Sequence, residues 1–340
     1  MKGTTSEPIN LFTTCPPYRG SDAEAYLRHV CEVSRWSDEA GCKGMLVYTD
    51  NGLLDPWLVS QIVIQNTTSL APLVAVQPVY MHPYSVAKMV SSLSYLYRRR
   101  ICLNMVAGGF KNDLSALNDL TPHDKRYDRL VEYTTIIQQL LAGSTPVTFD
   151  GEFYRIQQLS LKPPLPRELL PLITISGSSP AGVMAARSVG AVPVIYPEPP
   201  EQSAVPPEQR NGGCGIRVGI IAREDEEAAW QAAEERFPAD RAGQITHSLA
   251  MQASDSVWHR TLSDITGILK EKRSTYWLRP FENYKTFCPY LVGSYTQVAT
   301  DVGRYVCAGY TTFILDVPAS EEELTHIGMV FALVHERAHA

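Results

Sequence analysis

The amino-acid sequence predicts an α/β fold: a (β/α)8 TIM barrel with insertions, in a single domain of residues 1–340. Three observations lead to this prediction. Short apolar segments alternate with amphipathic helical segments, the apolar segments are continuous, and polar clusters follow several of them. Continuous apolar strands are typical of parallel sheets buried on both faces, and an α/β barrel builds its active site at the carboxyl ends of such strands.

The strands and helices alternate from the N-terminus onward. Strands are predicted, in chain order, at residues 9–13, 44–48, 73–76, 101–106, 172–176, 192–196, 216–222 and 312–316. Helices are predicted at residues 22–40, 56–66, 83–97, 122–141, 180–189, 224–236 and 321–335. Proline stands at the first position of several of these helices, where the missing N–H group needs no partner.

Insertions interrupt the alternation at about residues 143–171, 197–213 and 237–300. The first contains Asp150-Gly151 between two apolar runs, which predicts a β-hairpin. The second is rich in proline and glycine and is predicted to be a loop, whereas the third is predicted to be irregular or helical. A doubly wound sheet is the alternative fold, but no G-x-G-x-x-G motif follows the first strand.

Composition excludes several classes of function. The formal net charge is −6, with 44% hydrophobic and 19% charged residues, so a large core is expected and no basic surface for nucleic acid. No segment has the length of a membrane span, and the polar N-terminus lacks a signal core. The seven cysteines form no C-x-x-C pair, which argues against a zinc site or a disulfide framework. We expect a soluble cytoplasmic protein without metal, nucleic acid or membrane partners.

The segment Gly177-Ser178-Ser179-Pro180 is a candidate anion site. Ser179 suits a helix N-cap and Pro180 a first helical residue. Free N–H groups, two hydroxyls and a small glycine at a helix N-terminus would bind a phosphate. The alternative is an ordinary capped turn between a strand and a helix.

Two further polar clusters lie at element ends. His123 and Tyr127 are four residues apart, so they share one face of a helix that Thr121 is expected to cap and Pro122 to begin. The alternative is that His123 is only a solvated residue at a helix start. Asn104 ends a strand and precedes Ala107-Gly108-Gly109; its amide could contact a ligand, or the glycines could simply form a turn.

These motifs resemble those of the bacterial luciferase-like flavin monooxygenases, nearest the alkanesulfonate monooxygenase branch. The resemblance covers roughly residues 9 to 335. The stretches that carry it are GCKGMLV (41–47), DPWLV (55–59), LNMVAGG (103–109), HDKRY (123–127), FDG (149–151), GSS (177–179), EPPE (198–201), GIR (215–217) and AAWQAAE (228–234).

The resemblance implies a barrel that binds reduced FMN, supplied by a separate NAD(P)H-dependent flavin reductase, with dioxygen adding at the flavin C4a. It also implies a homodimer or homotetramer. By similarity, Gly177, Ser178 and Ser179 hold the FMN phosphate, with His123 and Tyr127 nearby. The residues that would line the isoalloxazine are Asn104, Ala107, Gln77 and Thr49.

The chain departs from the sulfonate branch at the groups expected to clasp a sulfonate. Leu53 stands where that branch has cysteine, and Gly219 stands where it has histidine. Val317-Pro318-Ala319 replaces its Tyr-Pro-His, and the mobile loop is replaced by the shorter residues 286–294. We therefore expect a different substrate: a small organic or natural-product molecule, either free or carrier-bound.

The predicted function is that of a two-component FMN-dependent monooxygenase. Arg217 is the main candidate for holding an anionic substrate or stabilising the flavin peroxide, although it could instead form a structural ion pair. Asp316 and Tyr196 also end strands and are further catalytic candidates. Two alternatives remain open, an F420-dependent reductase on the same barrel and a flavin-binding protein without catalysis.

Overall fold

A computed structural model describes residues 8–143, 145–203, 213–253 and 274–339. These residues form two compact units. The first unit is Cys15–Pro193, and the second combines the residues up to Thr14 with those from Val194 onward. The two units are described in turn below.

The elements follow the predicted alternation. The strands are β1 Asn10–Thr14, β2 Gly44–Val47, β3 Ala71–Val76, β4 Cys102–Val106, β5 Val147–Asp150, β6 Arg155–Leu159, β7 Ile173–Ser176, β8 Val192–Ile195, β9 Cys214–Arg223, β10 Tyr276–Trp277, β11 Tyr290–Ser294 and β12 Tyr310–Leu315. The helices are α1 Ala23–Glu39, α2 Pro56–Gln65, α3 Pro83–Tyr97, α4 Lys111–Ala116, α5 His123–Ala142, α6 Pro180–Ser188, α7 Glu226–Arg236, α8 Arg241–Ala253, α9 Arg279–Glu282, α10 Tyr295–Ala308 and α11 Glu321–His339.

The first unit contains a parallel sheet with the strand order β2, β3, β4, β7. Every residue of β3 is buried, as continuous apolar strands of a covered parallel sheet should be. Helices α3, α5 and α6 pack their apolar faces on this core, in which Val74, Leu103 and Tyr133 are fully buried. The predicted hairpin is present as the antiparallel pair β5 and β6.

Side-chain caps begin several helices in this unit, among them α2 and α3. The Asp55 carboxylate accepts from the backbone N–H groups of Trp57 and Leu58 at 2.9 and 3.1 Å, with Pro56 as the first residue of α2. Nδ1 of His82 accepts from the N–H of Tyr84 at the start of α3. The predicted starts of these two helices are confirmed.

The predicted start of α5 is wrong by one residue. The helix begins at His123 with Pro122 in the cap position, and no side-chain cap bond is present there in the part of the chain described. The Thr121 hydroxyl donates instead to Asp119 at 2.6 Å, and Arg129 donates to the other oxygen of the same carboxylate at 2.6 Å. Pro122 therefore holds the cap position expected for Thr121, and the Thr121 hydroxyl contacts Asp119 before the helix begins.

The second unit contains a sheet with the order β10, β11, β9, β12, β1, and β8 also pairs with β9. All of these pairings are parallel except β10 with β11. The ten-residue strand β9 pairs with β12 along its first half and with β11 along its second half.

The prediction of irregular or helical structure for residues 237–300 is wrong for β10 and β11. Strand β11 is a short apolar run with glycine near its end, and periodicity cannot distinguish such a run from a helix or loop. Its conformation comes from pairing with β9, which is a tertiary contact. Of the predicted 197–213 loop, residues 204–212 lie outside the described part, as do residues 254–273 of the third insertion. None of the described helices has the combination of length and apolar character that spanning a bilayer requires.

Candidate active site

The turn Gly177-Ser178-Ser179 joins β7 to α6 in the first unit. Ser179 is buried in the N-cap position, and its hydroxyl oxygen accepts from the N–H of Gly182 at 3.2 Å. Pro180 is the first helical residue, as predicted. The Ser179 oxygen therefore already has a structural partner.

The Ser178 hydroxyl differs from its neighbour. Its oxygen is buried and has no hydrogen-bond partner among the residues that the structure describes. A buried hydroxyl without a hydrogen-bond partner destabilises the folded protein. A phosphate oxygen that accepted a hydrogen bond from it would relieve this cost. The adjacent N-terminus of α6 favours a negative charge. The turn therefore fits a phosphate group.

Tyr127 of α5 packs against this turn. A Cβ atom on Gly177 would lie 2.4 Å from the Tyr127 hydroxyl oxygen, so only glycine admits the ring at this distance. Burial raises the pKa of Tyr127, while a hydrogen bond with Ser179 acts in the opposite direction. The phenol is therefore neutral at physiological pH and can donate a hydrogen bond. The structure thus brings Tyr127, Gly177 and Ser179 together.

His123 lies on the same face of α5 as Tyr127, as their spacing predicts. The two rings meet edge to face with centroids 5.3 Å apart. Nδ1 of His123 lies 2.7 Å from the Asp124 carboxylate, and the side chain is 32% exposed. His123 therefore adjoins the turn through Tyr127 and remains accessible.

Asn104 of β4 is buried beside β7. Its side-chain oxygen accepts from the hydroxyl groups of Thr174 and Ser176 at 2.7 and 2.9 Å. The strand register places Asn104 opposite Thr174, which explains the contact. Because the oxygen is used, the amide NH2 is the group that Asn104 can offer to a ligand. Sequence reasoning missed Thr174 and Ser176, although both belong to a predicted strand.

The other predicted cofactor residues follow the neighbouring strands. Gln77 and Ala107 are buried directly after β3 and β4, and Thr49 is half-buried after β2. Gly108 has φ 100°, and a Cβ atom there would lie 2.9 Å from Leu114 and 3.4 Å from the Gln77 side-chain oxygen. Within the described ranges, no hydrogen bond joins Thr49 or Gln77 to the turn at Gly177.

The three predicted catalytic residues meet in the second unit. The Arg217 guanidinium lies 3.8 Å from the Asp316 carboxylate and donates to the Tyr196 hydroxyl at 3.3 Å. Its central carbon is 5.8 Å from the centroid of the Tyr196 ring. The Arg217 and Asp316 side chains are only 7% and 13% exposed. Arg217 therefore forms an ion pair with Asp316, which is the alternative role that the sequence analysis gave it.

Tyr290 of β11 completes this cluster and was not predicted. Its hydroxyl donates to the second oxygen of Asp316 at 2.7 Å. A Cβ atom on Gly219 would lie 2.3 to 2.4 Å from three carbons of the Tyr290 ring. The one signal in the sequence is Gly219 itself, since an isolated glycine inside an apolar strand often marks a close approach of another group.

Burial keeps Tyr196, Tyr290 and the nearby Cys288 thiol uncharged. Burial, with smaller contributions from Cys288 and Asp316, raises the pKa of Tyr196. Burial, followed by Asp316, raises the pKa of Tyr290. Burial also raises the pKa of Cys288 to about 12. The charges of this cluster are therefore those of Arg217 and Asp316. In neither unit does the described chain gather three His, Cys, Asp or Glu side chains that could hold a metal ion.

Comparison with known proteins identifies relatives of this chain. The family model for luciferase-like monooxygenases matches residues 9–312. The chain is 33% identical over 311 residues to the 4-(gamma-L-glutamylamino)butanoyl-[BtrI acyl-carrier protein] monooxygenase BtrO of Niallia circulans. The match covers 90% of this chain and 91% of that protein.

Solved structures with much lower sequence identity share the fold. EDTA monooxygenase EmoA from Chelativorans sp. BNC1 superposes with a TM-score of 0.75 at 14% identity, over 97% of this chain and 94% of that one. An F420-dependent secondary alcohol dehydrogenase superposes with a TM-score of 0.67 at 14% identity, over 96% and 99%.

These similarities confirm the predicted fold class. The chain has a (β/α)8 TIM barrel fold. Proteins of this family bind reduced flavin or F420, and the relatives named above include monooxygenases. The family model and the BtrO match each cover most of the chain, so the protein belongs to the luciferase-like monooxygenase family.

Proposed function

We propose that this protein is a two-component FMN-dependent monooxygenase that oxidises an acyl group attached to a carrier protein. The carrier-bound substrate is supported by the similarity to BtrO, whose name specifies an acyl-carrier-protein substrate. A cofactor that carries a phosphate, as FMN does, is supported by the unpaired Ser178 hydroxyl at the start of α6. A separate flavin reductase would supply the reduced cofactor.

The residues of the first unit fit the parts of FMN. Ser178 and the N-terminus of α6 would hold the phosphate, while Ser179 caps the helix and fixes Tyr127. The Asn104 amide NH2 would donate to the isoalloxazine. The remaining ring contacts are proposed for Ala107, Gln77 and Thr49, and a contact beside the phosphate is proposed for His123.

Reduced FMN would supply the activation of dioxygen when bound, and the protein would supply binding, orientation and exclusion of water. Burial of Asn104, Gln77 and Ala107 serves that exclusion. In the second unit, Arg217 and the neutral Tyr196 hydroxyl are the groups proposed to hold the substrate or to donate a hydrogen bond during oxygen transfer. We further propose that the enzyme is a homodimer or homotetramer.

The proposed substrate excludes an alkanesulfonate. The chain lacks the cysteine and histidine positions of the sulfonate branch, and the structure pairs the retained Arg217 with Asp316. A carrier-bound acyl group needs no strong anion site beside the reacting atom, because the carrier protein contributes its own contacts.

The test is a reconstituted reaction. The purified chain, FMN, a flavin reductase and NADH are mixed with an acyl-carrier protein loaded with different acyl groups, and products are followed by mass spectrometry. We expect one acyl-carrier species to gain the mass of one oxygen atom, with no gain when the reductase is omitted. Turnover of free acids or alkanesulfonates only would contradict the carrier-bound substrate. Preferential binding of F420 over FMN, with oxidation of reduced F420 as an added substrate is reduced, would favour the reductase alternative.

A further inference from the structure

Three residues of the second unit share one face of the sheet. Side chains alternate along a strand, so Arg217 and Gly219 of β9 point to the same side. The register pairs Ile314 of β12 with Arg217, which places Asp316, two residues later, level with Gly219 and on the same face. A carboxylate therefore lies beside the guanidinium because of the sheet register.

Gly219 allows Tyr290 to reach this carboxylate. Strand β9 lies between β11 and β12 in the sheet order. The Tyr290 ring occupies the space that a side chain at position 219 would fill, and its hydroxyl reaches Asp316. Tyr290 is only 1% exposed and packs edge to face on Phe237. One oxygen of Asp316 is therefore held by a ring that has little room to move.

The charges of this cluster cancel. Arg217 is positive, Asp316 is negative, and both are largely withdrawn from water. Arg236 also lies close, 5.6 Å from the centroid of the Tyr290 ring, but it is paired with Glu323 at 3.5 Å. An anionic ligand placed at Arg217 would lose its hydration and meet a guanidinium whose charge Asp316 already offsets.

We propose that Asp316 is a specificity-determining residue that makes this cluster bind a neutral, hydrogen-bonding part of the substrate, such as an amide or thioester carbonyl, and reject an anionic group. The inference deepens the proposed function and rests on it for the identity of the substrate. It is tested without flavin, carrier protein or turnover, so its failure can be distinguished from failure of the monooxygenase assignment.

The test uses two probes of the same shape, ethanesulfonate and its neutral counterpart ethanesulfonamide. Binding to the full-length protein is measured by isothermal titration calorimetry for the wild type, Asp316→Asn and the double variant Asp316→Asn/Arg217→Gln. We expect the wild type to prefer the sulfonamide. Asp316→Asn should reverse that preference by binding the sulfonate roughly tenfold more tightly, because a charge-assisted hydrogen bond replaces a neutralised pair. The double variant should lose that gain.

Two outcomes would overturn the inference. One is a wild type that binds ethanesulfonate as tightly as Asp316→Asn does, since Asp316 would then not be what rejects anions. The other is a folded Asp316→Asn protein that gains no sulfonate affinity. If the circular dichroism spectrum shows that Asp316→Asn does not fold, Asp316→Ser serves the same comparison, and the wild-type preference alone can still contradict the proposal.

Discussion

The two polar clusters of this protein, the turn Gly177-Ser178-Ser179 with Tyr127 and the group formed by Arg217, Asp316, Tyr196 and Tyr290, differ in charge balance. At the turn before α6 the Ser178 hydroxyl is buried with no partner in the described chain, and the helix N-terminus adds a positive partial charge. In the second unit the Arg217 guanidinium lies 3.8 Å from the Asp316 carboxylate, and the second oxygen of that carboxylate accepts from Tyr290. We propose that the first cluster binds a ligand that brings negative charge and that the second binds a neutral group. The proposed charge of each ligand thus depends on whether a carboxylate of the protein offsets the positive group beside it.

The most severe disruption is expected from Gly219→Ala. The new Cβ atom would overlap three ring carbons of Tyr290 in a packed interior, so we expect a loss of about 3 kcal/mol in unfolding free energy. Urea denaturation measures the effect. Gly328→Ala is the matched control, because position 328 is an exposed site of α11, its added Cβ would meet nothing within 4 Å beyond its own helix backbone, and alanine favours a helix. Equal stability of the two variants would mean that the second cluster is not closely packed.

Asn104→Leu tests the hydrogen bonds that Asn104 accepts from Thr174 and Ser176. The variant leaves the hydroxyls of Thr174 and Ser176 without their acceptor, so we expect a loss of about 2 kcal/mol in unfolding free energy. Adding Thr174→Val and Ser176→Ala should recover part of the loss, because the unpaired hydroxyls are then removed. A triple variant no more stable than Asn104→Leu would contradict this hydrogen-bond account.

Asp119→Asn tests the support of α5 through its pH dependence. Burial acts to raise the pKa of Asp119, but hydrogen bonds from Arg129 and Thr121 outweigh it and lower the pKa to about 2. A lowered pKa contributes stability that is present above about pH 4 and is lost as the pH falls through about 2. We therefore expect the unfolding free energy of Asp119→Asn to be about 2 kcal/mol lower than that of the wild type at pH 7. This difference should shrink as the pH falls from about 4 to about 2.

The control for this prediction is Asp150→Asn, because Asp150 pairs with Arg155 in an exposed position where both side chains are 82% exposed. Denaturation of the three proteins between pH 7 and about pH 2 should show almost no loss of stability for this control relative to the wild type. A deficit for Asp119→Asn that stays constant with pH would show that the carboxylate charge is not what stabilises the segment before α5.

The smallest expected changes in stability are those of substituting the two serines of the turn, Ser178 and Ser179. Ser179→Ala removes the N-cap of α6 and should cost about 1 kcal/mol. Ser178→Ala removes a hydroxyl that has no described partner, so it should leave the flavin-free protein as stable as the wild type or slightly more stable. Thermal unfolding of both variants without FMN measures this. A larger loss for Ser178→Ala than for Ser179→Ala would reverse the roles assigned here.

Local patterns in the sequence predicted most of the fold and the first cluster. Strand hydrophobicity, proline at the first helical position and the Ser179 cap are short-range signals. Together with the family resemblance, they predict that Gly177 and Tyr127 lie close to each other. Strand β11 and the reach of Tyr290 over Gly219 depend on pairing between segments 71 residues apart, which no local pattern encodes. The Thr121 cap failed for a different and local reason, since Pro122 holds the cap position and the Thr121 hydroxyl donates to Asp119 two residues earlier.

The most direct test of the FMN assignment compares FMN with riboflavin, which lacks the phosphate. Fluorescence titrations of the wild type and Ser178→Ala give four dissociation constants. We expect the wild type to prefer FMN, and Ser178→Ala to weaken FMN binding about tenfold while leaving riboflavin binding unchanged. Equal losses for both flavins, or no loss for either, would contradict the proposal that the turn before α6 binds the phosphate.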